Sequence, residues 1–178
     1  MDRFTEYSRR IIKDLIKDVN CVDWQAAGVV GNFAAETSKF KIYQEIKPVV
    51  SGSRGGYGWA QWTGPRRRAF ELWVKEANLN IDSYEANYGF LLHELKGPEN
   101  AALKALYKTK TSGEAAEVFM LKYERPGIPA LAKRKKYAEE ALIIYREAIP
   151  VHEEQTQVPN WIVRIIEFIK NLFSKEKK

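Results

Sequence analysis

The chain has 178 residues, 45% of them hydrophobic and 12% aromatic, enough to bury a sizeable core and to exclude wholesale disorder. Its 29 Lys and Arg against 23 Asp and Glu leave a net charge of +6, which suits an anionic partner such as nucleic acid, a membrane surface or a cell-wall polymer. One cysteine, Cys21, excludes an internal disulfide framework, and with only His93 and His152 beside it no conventional metal site is expected.

The first element predicted is an amphipathic helix over residues 4–19, with Phe4, Tyr7, Ile11, Leu15 and Ile16 at helical spacing between basic residues. This charged start holds no apolar block of signal-peptide length, and no run reaches the roughly 18 apolar residues of a membrane span. The expectation is a protein made soluble in the cytoplasm. Asp23 is placed to cap a second helix, residues 24–37, built from Ala, Gly, Val and Phe33. A helical glycine costs on the order of 1 kcal/mol against alanine, so Gly28 and Gly31 point to a buried helix closely approached by its neighbours. From residue 39 to 62 the helical period vanishes into Pro48 and the run Gly55-Gly56-Tyr57-Gly58, predicting a small β-hairpin or wrapped loop.

Helical patterning resumes over residues 66–77, 83–96, 99–108, 112–123 and 131–148. The fold class expected is therefore α+β: a mainly helical domain over residues 1–149 with one small hairpin. The proline-bracketed stretch 150–159 reads as a linker. Beyond it, residues 160–178 read as a C-terminal amphipathic helix with five basic and two acidic side chains, half of the net charge. Such a helix can lie in a membrane interface; packing on the domain, or mediating dimerisation, is the competing reading.

The most suggestive chemical feature is Glu36, the only acid between Trp24 and Glu45, at the end of an apolar helix just before the glycine-rich loop. A carboxyl held against apolar surroundings resists ionisation and can donate a proton near neutral pH. Glycosidic cleavage needs such a donor, usually with a second carboxylate. From the residues alone, a solvated helix-end charge remains the other reading.

Three blocks resemble the phage tail lysozyme family in order and approximate spacing, over roughly residues 8–146. They are Gln25-Ala26-Ala27-Gly28-Val29-Val30-Gly31-Asn32-Phe33-Ala34-Ala35-Glu36, Gly56-Tyr57-Gly58-Trp59-Ala60-Gln61-Trp62-Thr63 and Tyr123-Glu124-Arg125-Pro126. The resemblance implies a lysozyme-like helical domain with a hairpin beside a peptidoglycan cleft. It also implies that Glu36 is the general acid, in an Asn-x-x-x-Glu motif whose usual following serine is Thr37 here. Lysozyme-like phage enzymes often carry an acid nine positions after this glutamate and a later threonine, which are matched here by Glu45 and Thr63. Glutamate instead of aspartate adds a methylene, which shifts the carboxylate by about 1 Å, and an ion pair with Lys41 or Lys47 is the competing reading of Glu45.

Tyr57, Trp59 and Trp62 offer flat faces for sugar rings and Gln61 an amide for N-acetyl groups. Strand alternation puts Tyr57, Trp59 and Gln61 on one side and Trp62 on the other, so at least one Trp belongs to the core. The glycines of this loop would let the backbone approach a bulky chain. Arg66-Arg67-Arg68 reads as a solvated face, and Glu124-Arg125 as a structural ion pair.

The function expected is that of a phage endolysin, a muramidase acting on peptidoglycan as a monomer and without cofactor. It would stay in the host cytoplasm until release and then act at the wall or periplasm; carriage in the virion tail is the other location the family allows. Rival readings are a lytic transglycosylase using the same Glu36 to form 1,6-anhydro ends, and a non-catalytic wall-binding or virion structural module. Nucleic-acid binding is not expected, because charges of both signs are interspersed along most helices.

Overall fold

A computed structural model describes residues 1–46, 48 and 52–149. The expected linker at 150–159 and C-terminal helix at 160–178 lie outside the described residues.

Helix α1 (Arg3–Val19) starts at Asp2, whose carboxylate accepts from the Phe4 and Thr5 amides at 3.0 and 3.1 Å. It buries Phe4, Ile11, Ile12, Leu15 and Val19, the face its periodicity predicts. Helix α2 (Asp23–Glu36) begins one residue earlier than expected: Val22 is its cap, and Gln25 Oε1 accepts from the Val22 amide at 3.1 Å. Asp23 is thus inside the first turn, where its carboxylate accepts from Arg146 of the last described helix.

Every residue of α2 from Gln25 to Ala34 is buried, because the helix runs through the middle of the bundle. Helix α3 (Gly64–Glu76), α4 (Tyr84–Lys96) and α5 (Asn100–Leu106) follow, then α6 (Ser112–Phe119), a π-helical turn (Met120–Glu124) and α7 (Leu131–Ala148). Helix α2 packs most extensively on α7 and α6, and also on α1. Its two glycines make this fit. A Cβ at Gly28 would lie 2.6 Å from the Ala115 carbonyl carbon, and one at Gly31 2.5 Å from the Arg134 carbonyl oxygen. The close approach inferred from sequence is therefore present on both sides of α2.

The predicted hairpin is reduced to two isolated antiparallel bridges, Gln44 with Tyr57 and Tyr57 with Trp62, and no strand is found among the described residues. The backbone explains the shortfall. Gly52, Gly55, Gly58 and Gln61 all have positive φ, which bends the chain too often for a ladder to extend.

Between α2 and this loop the chain makes a left-handed turn, with Ser38, Lys39 and Phe40 at φ of 51, 61 and 62°. Such residues are strained in that region. The buried Thr37 hydroxyl holds the turn, donating to the Phe33 carbonyl at 2.6 Å and accepting from the Phe40 amide at 2.8 Å. Phe40 is fully buried against Phe4, Tyr7 and Trp59. Apolar burial and the hydroxyl together offset the strain.

Candidate active site

The end of α2, the loop after it, the start of α3, the π-helical turn and the first turn of α7 meet at a cleft of about 790 Å³. Glu36, Glu45, Gln61 and Thr63 all line it, so four residues singled out from the sequence lie around one space. Tyr57, Trp59 and Trp62 do not line it. Arg125, Lys133 and Arg134 also line it, alongside the three carboxyl groups of Glu36, Glu45 and Glu124.

Glu36 is not packed against an apolar wall, contrary to the sequence expectation. Its side chain is 22% exposed and forms an ion pair with Arg134, whose own side chain is 3% exposed. Arg134 spends its whole fork locally: Nε donates to the Pro129 carbonyl at 2.8 Å, Nη1 to Asn32 Oδ1 at 2.9 Å, and Nη2 to Glu36 Oε1. Asn32 sits one helical turn before Glu36, on the same face of α2. It is fixed by its amide, which donates to the Gly28 and Ala116 carbonyls, each at 2.9 Å. The Asn-x-x-x-Glu spacing therefore has a physical meaning: both side chains accept from one guanidinium. Sequence reasoning missed Arg134, which stands inside a run of four basic residues, 133–136, with nothing to distinguish it.

Glu45 is half-buried and tied to the glycine loop. Its Oε2 accepts from the Gly56 amide at 2.9 Å, and its own amide donates to the Gly56 carbonyl at 2.9 Å. A Cβ at Gly55 would lie 2.9 Å from Oε2. The groups that approach the loop glycines are thus the protein's own side chains: Glu45 at Gly55, Gln61 at Gly56 and Trp62 at Gly58. Among the described residues no cation pairs with Glu45; Lys47 lies outside them. Thr63 is exposed at the start of α3, and its hydroxyl makes no capping bond to that helix. Gln61 spends both amide hydrogens on the Tyr43 and Gly58 carbonyls, at 3.1 and 2.9 Å. Only its oxygen is left for a ligand.

The aromatic residues expected to serve as sugar platforms are placed otherwise. Trp59 is 0% and Trp62 1% exposed, so neither indole presents a face to a ligand. Without a strand there is no alternation, and both rings turn inward. Trp59 packs with Tyr7, Phe33, Phe40 and Tyr84, and Trp62 with Phe70 and Phe90. Tyr57 is half-buried, and its hydroxyl donates to Asp82 at 2.6 Å.

The two charged motifs are also corrected. Arg66 is not a solvated charge: it grips Glu94 through Nε and Nη2, both at 2.8 Å, and donates through Nη1 to the Tyr123 carbonyl at 3.1 Å. Buried Glu94 also accepts from Trp62 Nε1 at 2.8 Å and from the Tyr123 hydroxyl at 2.5 Å. Arg67 is buried and bonded to Glu71; Arg68 alone is exposed and makes no ion pair among the described residues.

Arg125 pairs with Glu99, at 2.6 and 3.0 Å, and not with Glu124. Glu124 lines the cleft, and its Oε1 is sealed from solvent with no hydrogen-bond partner among the described residues. Burial foremost, then the charge of Glu36, pushes the Glu124 carboxyl well above the usual carboxylate range.

Among the described residues, no three His, Cys, Asp or Glu side chains gather in a way that could hold a metal ion, and no helix is long and apolar enough to cross a membrane. No curated protein matches the chain at a significant level. A family model described as phage tail lysozyme matches residues 8–145, spanning α2, the glycine loop, the π-helical turn and most of α7, and the chain belongs to that family.

Proposed function

We propose that the protein is a phage endolysin of muramidase type, hydrolysing the β-1,4 bond between N-acetylmuramic acid and N-acetylglucosamine in peptidoglycan. Family membership supports a lysozyme-like enzyme acting on the bacterial wall. The finer reading rests on one observation: Glu36, Glu45 and Thr63 surround a single cleft. Glu36 delivers the proton to the leaving oxygen. Glu45, or a water held by Thr63, serves the opposite face of the sugar, and the spacing of the carboxyl groups then decides between retention and inversion. Lys133 brings a positive charge to the cleft for the carboxylates of the wall peptide.

The test is product analysis of purified peptidoglycan by mass spectrometry. Reducing ends support hydrolysis; 1,6-anhydro ends would replace it with a transglycosylase, and no release at all would leave a non-catalytic wall-binding module. Glu36→Gln should abolish release, and Glu45→Gln should slow it on the order of 100-fold while leaving an acceptor for the Gly56 amide. The protein is proposed to act as a monomer on the wall after leaving the host cytoplasm. Residues 160–178 are proposed to touch the membrane, so deleting them should weaken killing of intact cells without changing digestion of purified wall.

A further inference from the structure

A general acid must carry a proton before the bond breaks, yet Glu36 is one half of an ion pair with a buried guanidinium. The proton has to be kept elsewhere. Glu124 has the required setting. It borders the same cleft and has an oxygen sealed from solvent without a partner among the described residues.

The charged groups that act on Glu124 come from four helices: Glu36 of α2, Arg66 of α3, Glu94 of α4 and Arg134 of α7. The two positive ones are already committed. Arg134 is engaged by Glu36 and Asn32, and Arg66 by both oxygens of Glu94. Neither hydrogen-bonds Glu124. A carboxylate there would have one oxygen sealed from solvent without a partner and two other carboxylates near it; a neutral carboxyl avoids the charge repulsion and the larger part of the desolvation cost.

The backbone under Glu124 is built to keep it in place. The chain widens into a π-helical turn at residues 120–124 and leaves it through Arg125 in the left-handed region, at φ of 49°. Such turns recur at functional sites. Arg66 holds the Tyr123 carbonyl and Glu94 the Tyr123 hydroxyl, so the residue before Glu124 is anchored at both ends.

We propose that Glu124 is the proton store of the site: at rest Glu124 carries the proton and Glu36 the charge, and Glu36 receives that proton to deliver it. This rests on the hydrolytic reading above. When substrate binds, the proton leaves Glu124 for Glu36, relayed by a water in the cleft. Glu36 passes it to the glycosidic oxygen as the bond from the anomeric carbon to that oxygen breaks. Water forms the new bond to that carbon, the proton it loses passes to Glu45 or to solvent, and the pair takes up a proton from solvent for the next cycle. Glu124 acts through Glu36 and is a positioning residue for the proton.

The test compares pH profiles of kcat/KM for the full-length wild type, Glu124→Gln and Glu124→Asp on soluble peptidoglycan fragments, alongside a ¹³C NMR titration of the wild-type side-chain carboxyls. The alkaline limb of the wild type should belong to the pair. In Glu124→Gln it should move to lower pH by about one unit or more, because the coupled pair is lost; Glu124→Asp should restore it toward the wild type. The Glu124 carboxyl signal should titrate above the ordinary 4.5. A limb that stays in place while the rate falls equally at every pH would overturn the proposal, as would a Glu124 carboxyl that titrates at or below the ordinary 4.5. Should Glu124→Gln fail to fold, the titration decides alone. If the wild type releases no fragments, the hydrolytic reading fails, while the titration still reports where the proton rests.

Discussion

Gly31 of α2 lies directly against Arg134 of α7, so closely that a Cβ at position 31 would be 2.5 Å from the Arg134 carbonyl oxygen. The same arginine whose side chain holds Glu36 thus has its backbone seated on the helix that carries Glu36. Helix packing and the placement of the Glu36 carboxylate share one residue.

Gly31→Ala should therefore destabilise the protein. Alanine gains about 1 kcal/mol of helix propensity, but forcing a methyl group into rigid backbone costs about 1–3 kcal/mol. A lower Tm and a slower enzyme are expected together. Gly113→Ala, where the nearest atom to a new Cβ is Lys135 Cδ at 3.7 Å, should be neutral or slightly stabilising. Thermal unfolding of both variants checks the contrast.

Arg134→Lys keeps the charge and loses the fork. A lysine cannot reach Asn32, Glu36 and the Pro129 carbonyl at once. The Glu36 carboxylate would be free to rotate, and a misplacement of about 1 Å can cost on the order of 100-fold in rate. Steady-state kinetics should show kcat falling far more than KM rises.

Trp59→Ala should cost about 3–5 kcal/mol, the loss typical of a fully buried aromatic residue, because its ring is surrounded by four others. Trp59→Phe should remain folded with KM for peptidoglycan fragments unchanged. Denaturant unfolding and KM measured side by side separate a core role from a sugar platform.

Stability should also depend on pH through Glu124. Its folded value lies above the ordinary 4.5 because of burial and the charge of Glu36. Below pH 4.5 the group is neutral in both states and costs nothing. As pH rises past 4.5 the unfolded chain loses the proton and the folded one keeps it, so the unfolded state binds fewer protons and wild-type stability falls. The fall ends once pH passes the folded value. Glu124→Gln lacks this loss. Its stability relative to wild type should grow as pH rises above 4.5, in urea titrations run at a series of pH values.

Much of this architecture was legible because local patterns and global packing agree. The apolar stripe of α1 is the face it buries, and the glycines of α2 mark where α6 and α7 press in. The aromatic loop was misread because alternation presumes a strand, and positive φ at Gly55, Gly58 and Gln61 removes it. Glu36 stands out in one dimension as the lone acid of its stretch, and Glu45 and Thr63 are matched to it through the family resemblance. Arg134 could not be picked out this way. Its contact with Glu36 crosses 98 positions and depends on which residue of a basic run α7 turns inward. Glu124 was visible, but its neighbour in sequence, Arg125, is a misleading partner, since the turn at 120–124 sends the two side chains to different places.

That separation has a consequence for the chain as it is made. Glu36, Glu45 and Thr63 leave the ribosome early, but the guanidinium that orients Glu36 belongs to α7 (Leu131–Ala148). A nascent or truncated polypeptide ending before α7 carries Glu36 without the guanidinium that pairs with it. The Glu36–Arg134 pair therefore forms only after α7 has been made, late in synthesis.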